Sequence, residues 1–176
     1  MAEAAETAGV SLTLARDVRL WRATLWPEVW RDASAAILGE LGVAAPAPGA
    51  SVAGPFGRLW RPAPTVWALL DPPGEGPPRA FETVGPLRGA VAELGPGLAR
   101  VTLTGARAAE LLARVVTLDL RARSFAPGGV RVTGWRETDV TLIRPEAGGW
   151  ELLVPLSFAE DAEAMLRRLA RPLGGG

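Results

Sequence analysis

The sequence predicts an α+β protein, with mostly antiparallel sheets and helices packed on one face. Two observations carry this reading. Short runs of apolar residues are separated by Gly- and Pro-rich turns, the pattern of hairpin-connected strands. Only a few stretches show apolar residues at helical spacing, so helices are the minority element. Apolar residues make up 48% of the 176-residue chain, enough to build a core.

The elements follow in order. Asp17 to Trp26 reads as a strand, with Val18, Leu20, Arg22 and Thr24 leading into Leu25 and Trp26. Pro27 is placed to open a helix at its first position, where a missing N–H costs nothing. Trp30, Ala33, Ile37 and Leu41 recur at helical spacing, and Gly42 is placed to end the helix in a left-handed conformation. After an Ala/Pro loop, strands are expected over Ser51–Trp60 and Thr65–Leu70, broken by Arg61-Pro62-Ala63-Pro64. Asp71 to Pro78 holds two Pro-Pro pairs and two glycines, so nothing regular survives there. It marks the expected boundary between an N-terminal half, residues 1–78, and a C-terminal half, residues 79–176, packed as one compact unit.

In the second half, Gly89–Leu94 and Leu98–Leu103 read as strands joined through Gly95-Pro96-Gly97 as a hairpin. A helix is expected over Arg107–Val116, with Leu111, Leu112, Val115 and Val116 inward. Thr117 to Phe125 is a connector closed by a turn at Pro127-Gly128-Gly129. Strands follow at Val130–Trp135, Asp139–Arg144 and Trp150–Pro155. The last helix starts after Ser157, which together with Glu160 fits a capping box. Phe158, Ala162, Met165, Leu166 and Leu169 form its apolar stripe, and Gly174–Gly176 reads as a tail.

Composition then limits the chemistry. The chain has no Cys, His, Lys, Tyr, Asn or Gln, and all 19 basic residues are Arg. General acid–base work near neutral pH falls mostly to His, or to Cys, Lys or Tyr with a tuned pKa. No Ser–His–Asp triad, Schiff-base lysine or His/Cys metal site can be built from such a chain. A carboxylate pair remains open in principle, but no paired-acid motif supports a hydrolase. GC-rich codon usage explains the Ala, Gly, Pro and Arg bias; such genomes nonetheless keep His and Cys where chemistry needs them. Zero net charge gives no pull towards nucleic acid or anionic lipid. The N-terminus lacks the basic-then-apolar pattern of a signal peptide, and no run reaches the ~18 apolar residues of a membrane span. A cytoplasmic location is the default expectation.

Candidate sites have plain readings beside them. The acids Glu160, Asp161 and Glu163 fall in the first turns of a helix, where the dipole favours them. Gly74-Glu75-Gly76 and Gly95-Pro96-Gly97 fit no phosphate-loop pattern and read as turns. Seven Trp residues in a neutral, apolar chain suit either core or interface, and Trp and Arg are enriched at interface centres. The most unusual string runs from Thr117 to Gly128, where Asp119 is placed to pair with Arg121 or Arg123 and Phe125 to plug the core. Trp21, Trp30, Trp60, Asp119, Arg123, Phe125 and Trp135 are the candidate interface residues. No catalytic, cofactor-binding or metal residue is expected.

That string also carries a resemblance. The helix ending Leu111-Leu112-Ala113, then Leu118-Asp119-Leu120, Arg123, Phe125 and Pro127-Gly128, resembles the gamma subunit family of heterotetrameric sarcosine oxidase. Leu103-Thr104-Gly105-Ala106-Arg107-Ala108 and Leu153-Val154-Pro155-Leu156-Ser157-Phe158-Ala159 match the same family in order and spacing, over residues 89–172. The first half agrees in layout more than in residues. Val115-Val116-Thr117 departs from the family, which often has Cys or Pro there. The corresponding subunit of N-methylglutamate dehydrogenase shares the layout.

The resemblance implies a fold related to the folate-binding domain of the glycine-cleavage T protein. It implies a non-catalytic structural subunit, docked on the folate-binding part of the large subunit, with alpha, beta and delta subunits as partners. FAD, FMN and NAD would sit on the alpha and beta subunits and zinc on the delta subunit, with tetrahydrofolate as co-substrate and none of these in this chain. The rival is a free-standing folate-binding protein similar to T-protein relatives; their Lys-Gly-Cys motif is absent here.

Overall fold

A computed structural model describes residues 3–7 and 9–171; the tail expected at Gly174–Gly176 lies outside the described residues. The chain divides into two compact units. One is built from residues before 18 and after 96, and the other is the continuous stretch Val18–Pro96. The boundary therefore does not fall at residue 78. Asp71–Pro78 is irregular, as its prolines and glycines dictate, but it lies inside the second unit.

The first unit holds a six-stranded antiparallel sheet. Its strands are β1 (Glu3–Thr7), β2 (Val10–Ala15), β8 (Leu98–Thr104), β9 (Val130–Trp135), β10 (Thr138–Ile143) and β11 (Trp150–Pro155), in the spatial order β1-β2-β8-β11-β10-β9. β2 buries Val10, Leu12 and Leu14 and turns Ser11 and Thr13 outward, the period-2 alternation of a half-buried strand. Two short helical elements complete the unit: α4 (Ala108–Leu112) and the longer α5 (Ala159–Ala170), which packs on β2, β8 and β11 and against α4. Their buried faces meet Val101, Leu103, Leu152 and Val154 in one core through Leu111, Leu112, Ala162 and Leu166.

The second unit holds a five-stranded antiparallel sheet in the order β4-β5-β6-β3-β7. Its strands are β3 (Leu20–Leu25), β4 (Ser51–Gly54), β5 (Gly57–Ala63), β6 (Val66–Leu70) and β7 (Gly89–Glu93). Helix α1 (Trp30–Leu41) packs against β3 and the single-turn α2 (Arg79–Glu82), and a second single turn, α3 (Gly85–Arg88), leads into β7. Ala23, Leu25, Ile37, Leu59, Trp67, Leu69 and Phe81 form the core. The buried Trp67 indole N–H donates to Ser34 Oγ at 2.9 Å, which satisfies both polar atoms inside the helix–sheet interface.

Local chemistry explains most boundaries. Gly42 ends α1 at φ 66°, and its N–H and that of Val43 reach back to Gly39 and Leu38. The expected strand over Ser51–Trp60 is two strands, turned at Pro55-Phe56; Gly57 has φ 102° and a Cβ there would stand 2.3 Å from the Leu70 carbonyl oxygen. β5 continues through Pro62, and the ladder slips register between Trp60 and Ala63 to accommodate it. Pro27 does not open α1. It sits in a preceding turn, and the helix begins at Trp30 after Val29.

Three further expectations are corrected. β7 and β8 do not pair: β7 bonds to β3 and β8 to β2 and β11, so Gly95-Pro96-Gly97 is a 3₁₀ turn joining two sheets, not a hairpin tip. Ser157 and Glu160 make no capping box, because Leu156–Phe158 forms a 3₁₀ turn and Phe158 occupies the cap position with no side-chain hydrogen bond. The expected helix over Arg107–Val116 is α4 followed by tight turns, with Val115 and Val116 both donating to Leu112. The charge order of α5 holds, with Glu160 and Asp161 in the first turn and Arg167 and Arg168 in the last. Glu163 and Arg167 pair across one turn at 2.6 Å.

Candidate functional site

The Thr117–Gly128 connector is built around one carboxylate. Asp119 Oδ1 accepts from the Arg121 backbone N–H at 3.1 Å and from Arg121 Nε at 2.7 Å. Oδ2 accepts from Arg121 Nη2 at 2.7 Å and from Ser124 Oγ at 2.6 Å. Asp119 therefore pairs with Arg121, not Arg123. The Arg121 side chain, then Ser124 and the Arg121 amide, hold the carboxyl well below the usual aspartate range, and the same pair raises the guanidinium. Both side chains face solvent, so the fork orders a turn and does not store a buried charge.

Phe125 anchors the end of this turn. It is 2% exposed and meets the Trp150 ring edge-on at 5.4 Å. Arg131 lies over the Phe125 ring and Arg144 over the Trp150 ring, at 5.4 and 5.1 Å. Arg144 Nη1 also donates to the Phe125 carbonyl. Gly129 has no room for a side chain, since a Cβ would stand 2.5 Å from the Phe125 ring.

The interface candidates separate by burial. Phe125, Trp135 and Trp60 are buried, so they hold the chain together and offer no surface. Trp21 and Trp30 are half-buried against the core of the second unit. Asp119 is exposed but committed to Arg121, and Arg123 is exposed with no bonding partner among the described residues. The structure brings together Asp119, Arg123 and Phe125 on one turn and leaves the four tryptophans elsewhere.

Other surface features were not singled out by the sequence. Leu87 is 89% exposed, Val132 59% and Trp26 42%. No periodicity marks Leu87, because it belongs to a single helical turn. Beside Leu87, a groove of about 450 Å³ is lined by Pro77, Phe81, Glu82, Pro86, Ala90 and Val91. In the first unit, a cleft of about 590 Å³ lies between Trp135, Arg136, Glu137, Pro155, Ser157 and Phe158. The Trp135 ring stands edge-on to Phe158 at 5.3 Å, and its buried indole N–H has no acceptor among the described residues. Arg136 also borders a second cleft of about 600 Å³ with Asp161, Met165, Arg168 and Arg171. These walls suit an anionic or apolar group and present no activated nucleophile. Among the described residues, no three carboxylates gather where they could hold a metal ion, and no helix is long and apolar enough to cross a membrane.

No family model and no curated protein matches this sequence. Solved structures do match it in fold. A chain of the heterotetrameric sarcosine oxidase from Corynebacterium sp. U-96, in complex with pyrrole 2-carboxylate, superposes with a TM-score of 0.80 at 23% identity; the match covers 99% of this chain and 90% of that one. The glycine cleavage system aminomethyltransferase T from Bartonella henselae superposes with a TM-score of 0.64 at 17% identity, over 91% of this chain. This chain spans only 46% of that protein's length. At these identities the likeness shows a shared fold, an α+β arrangement of two antiparallel sheets like that of the T protein.

Proposed function

We propose that this chain is a non-catalytic structural subunit of a heterotetrameric, flavin-dependent oxidase or dehydrogenase acting on sarcosine or a similar N-methyl amino acid. The observation that carries the proposal is the end-to-end match, at 99% and 90% coverage, to one chain of a sarcosine oxidase. A match of that extent suits a whole small subunit better than a domain cut from a large one. The residue inventory points the same way, since a chain without His, Cys, Lys or Tyr is poorly equipped to run proton transfer or to attach a flavin.

In this reading the chain is the gamma subunit, with alpha, beta and delta subunits as partners in the cytoplasm. FAD, FMN and NAD belong to the larger chains and zinc to the delta subunit, with tetrahydrofolate as co-substrate of the complex. This chain braces the folate-binding part of the large subunit. Co-expression with the chains encoded beside it tests this: the expected outcome is one stoichiometric complex on gel filtration. A chain that stays monomeric beside all of them overturns the reading.

The second reading is a free-standing folate-binding protein, favoured by the likeness to aminomethyltransferase T over 91% of the chain. Titration of the isolated chain with a tetrahydrofolate analogue separates the two. Tight binding to the chain alone supports the second reading and sinks the first.

A further inference from the structure

We infer that the open edge of β7, with the groove beside it, is a docking site for an extended strand of a partner subunit, apolar in its middle and carrying a basic residue. The identity of the partner as a subunit of the same complex rests on the function proposed above; the site itself rests on geometry.

Hydrogen-bond parity decides which main-chain groups of β7 face outward. In an antiparallel pair, bonded and non-bonded residue pairs alternate. Leu94 N–H donates to the Leu20 carbonyl at 2.7 Å, and Trp26 N–H to the Arg88 carbonyl at 2.9 Å. The β3–β7 register runs unbroken between them, pairing Arg22 with Ala92 and Thr24 with Ala90. The even-numbered residues of β7 therefore bond to β3, and Gly89, Val91 and Glu93 turn their main-chain groups outward. Gly89 N–H turns back to the Gly85 carbonyl. The N–H groups of Val91 and Glu93, and the outward carbonyls, have no partner among the described residues. β7 is the last strand of its sheet, so nothing in the sheet completes this row.

Such an edge is normally protected by shortness, proline, charge or a bulge. The opposite edge of the same sheet shows this: β4 is four residues long and runs into Pro55. β7 contains no proline and its ladder has no bulge, and one charge, Glu93, stands at its far end. The groove along it is apolar, through Pro77, Phe81, Pro86 and Val91. Leu87 stands on the preceding turn almost fully in water. Apolar surface of this kind beside unpaired main chain suits strand addition, in which main-chain bonds give affinity and alternate side chains enter pockets. Glu82 lines the groove and Glu93 ends the edge, both exposed and without an ion-pair partner among the described residues. They supply the preference for a basic residue.

The test is Val91→Pro. Proline is tolerated on an edge strand where the N–H points outward, so the variant keeps the fold and loses one docking bond. Ala92→Pro removes a bond to Arg22 and is the folding control. Co-expressed with the chains encoded beside it, Val91→Pro and Leu87→Asp are each expected to weaken assembly about tenfold or more. In the assembled complex, residue-resolved amide exchange at Val91 and Glu93 slows against the free chain, while Ala90 and Ala92 stay unchanged. If the wild-type chain assembles and both variants assemble equally well, the docking edge is wrong and the subunit reading stands. If the wild-type chain does not assemble, the subunit reading fails and the partner with it. Loss of assembly on Val132→Arg at the β9 edge, with Val91→Pro unaffected, places the contact elsewhere and overturns the proposal. A free chain that dimerises until Val91 is replaced by proline overturns the partner in favour of a second copy.

Discussion

Two surface regions handle their polar and apolar groups in opposite ways. The Asp119–Phe125 turn satisfies itself: one carboxylate takes four donors from within six residues, and its aromatic side chain is buried. The α3–β7 rim leaves things undone, with an exposed leucine and, among the described residues, unpaired main chain and two carboxylates without a cation. The turn has the more distinctive sequence and the rim the more reactive surface. A distinctive string can record what a turn needs in order to fold, while a partner reads what the fold leaves unsatisfied.

That contrast can be broken by mutation. The largest effect is expected at Phe125→Ala, which empties a buried aromatic site against Trp150 and removes the ring under Arg131. It should cost about 3–5 kcal/mol, read as a fall in the urea midpoint of the isolated chain. A loss below about 1 kcal/mol would mean that the turn is not anchored there.

Asp119→Asn should act more locally. It removes charge from the fork to Arg121 and Ser124, and faster proteolytic cleavage between residues 117 and 125 is the expected readout. The pH dependence has a definite sign. The folded carboxyl titrates below its ordinary value of 3.8, so its contribution is fully present above that value and fades only as pH falls towards the lower folded pKa. Cleavage of the wild-type turn should therefore be flat from pH 5 to 8 (roughly one unit above the carboxylate range and beyond). A midpoint inside that window would contradict the pairing.

The smallest effect on folding is expected at Leu87→Ser. At 89% exposure it has little burial to lose, so stability should move by no more than about 0.5 kcal/mol in the same urea titration. A larger loss would make Leu87 a structural residue and erase the distinction between the two regions.

Local signals in the sequence identified many of the elements and few of the pairings. Trp30, Ile37 and Gly42 marked α1 and its end, and the three strands from Val130 to Pro155 lie within a residue of their expected bounds. The Val10–Ala15 alternation was equally legible, yet the expected strands began only at Asp17 and left out β1 and β2. Gly95-Pro96-Gly97 misled for a deeper reason. A Gly-Pro-Gly turn has the same local chemistry whether it closes a hairpin or passes from one sheet to another, and only partners far off in sequence decide. Ser157 failed as a cap similarly: the residue types fitted, and the backbone turned one residue later. Of the candidate site, Asp119 was legible because it bonds to residues two and five positions on, and Phe125 because a large apolar ring in a polar turn favours burial, although its partner Trp150 lies far along the chain. Leu87 was not, since exposure of a leucine is a property of the finished surface.

The way the two units share the chain has a consequence for synthesis. β2 finds its sheet neighbour in β8, with Ala15 opposite Arg100, and everything from Val18 to Pro96 lies between them. A ribosome making roughly 5–20 residues each second needs on the order of ten seconds to cross that gap. During that time Val10, Leu12 and Leu14 lack β8 and the core they are buried in, while the strands of the inserted sheet are made one after another within a single stretch. β2 is thus a segment that waits during synthesis with its apolar residues uncovered, whereas every strand partner of the inserted unit lies within its own stretch.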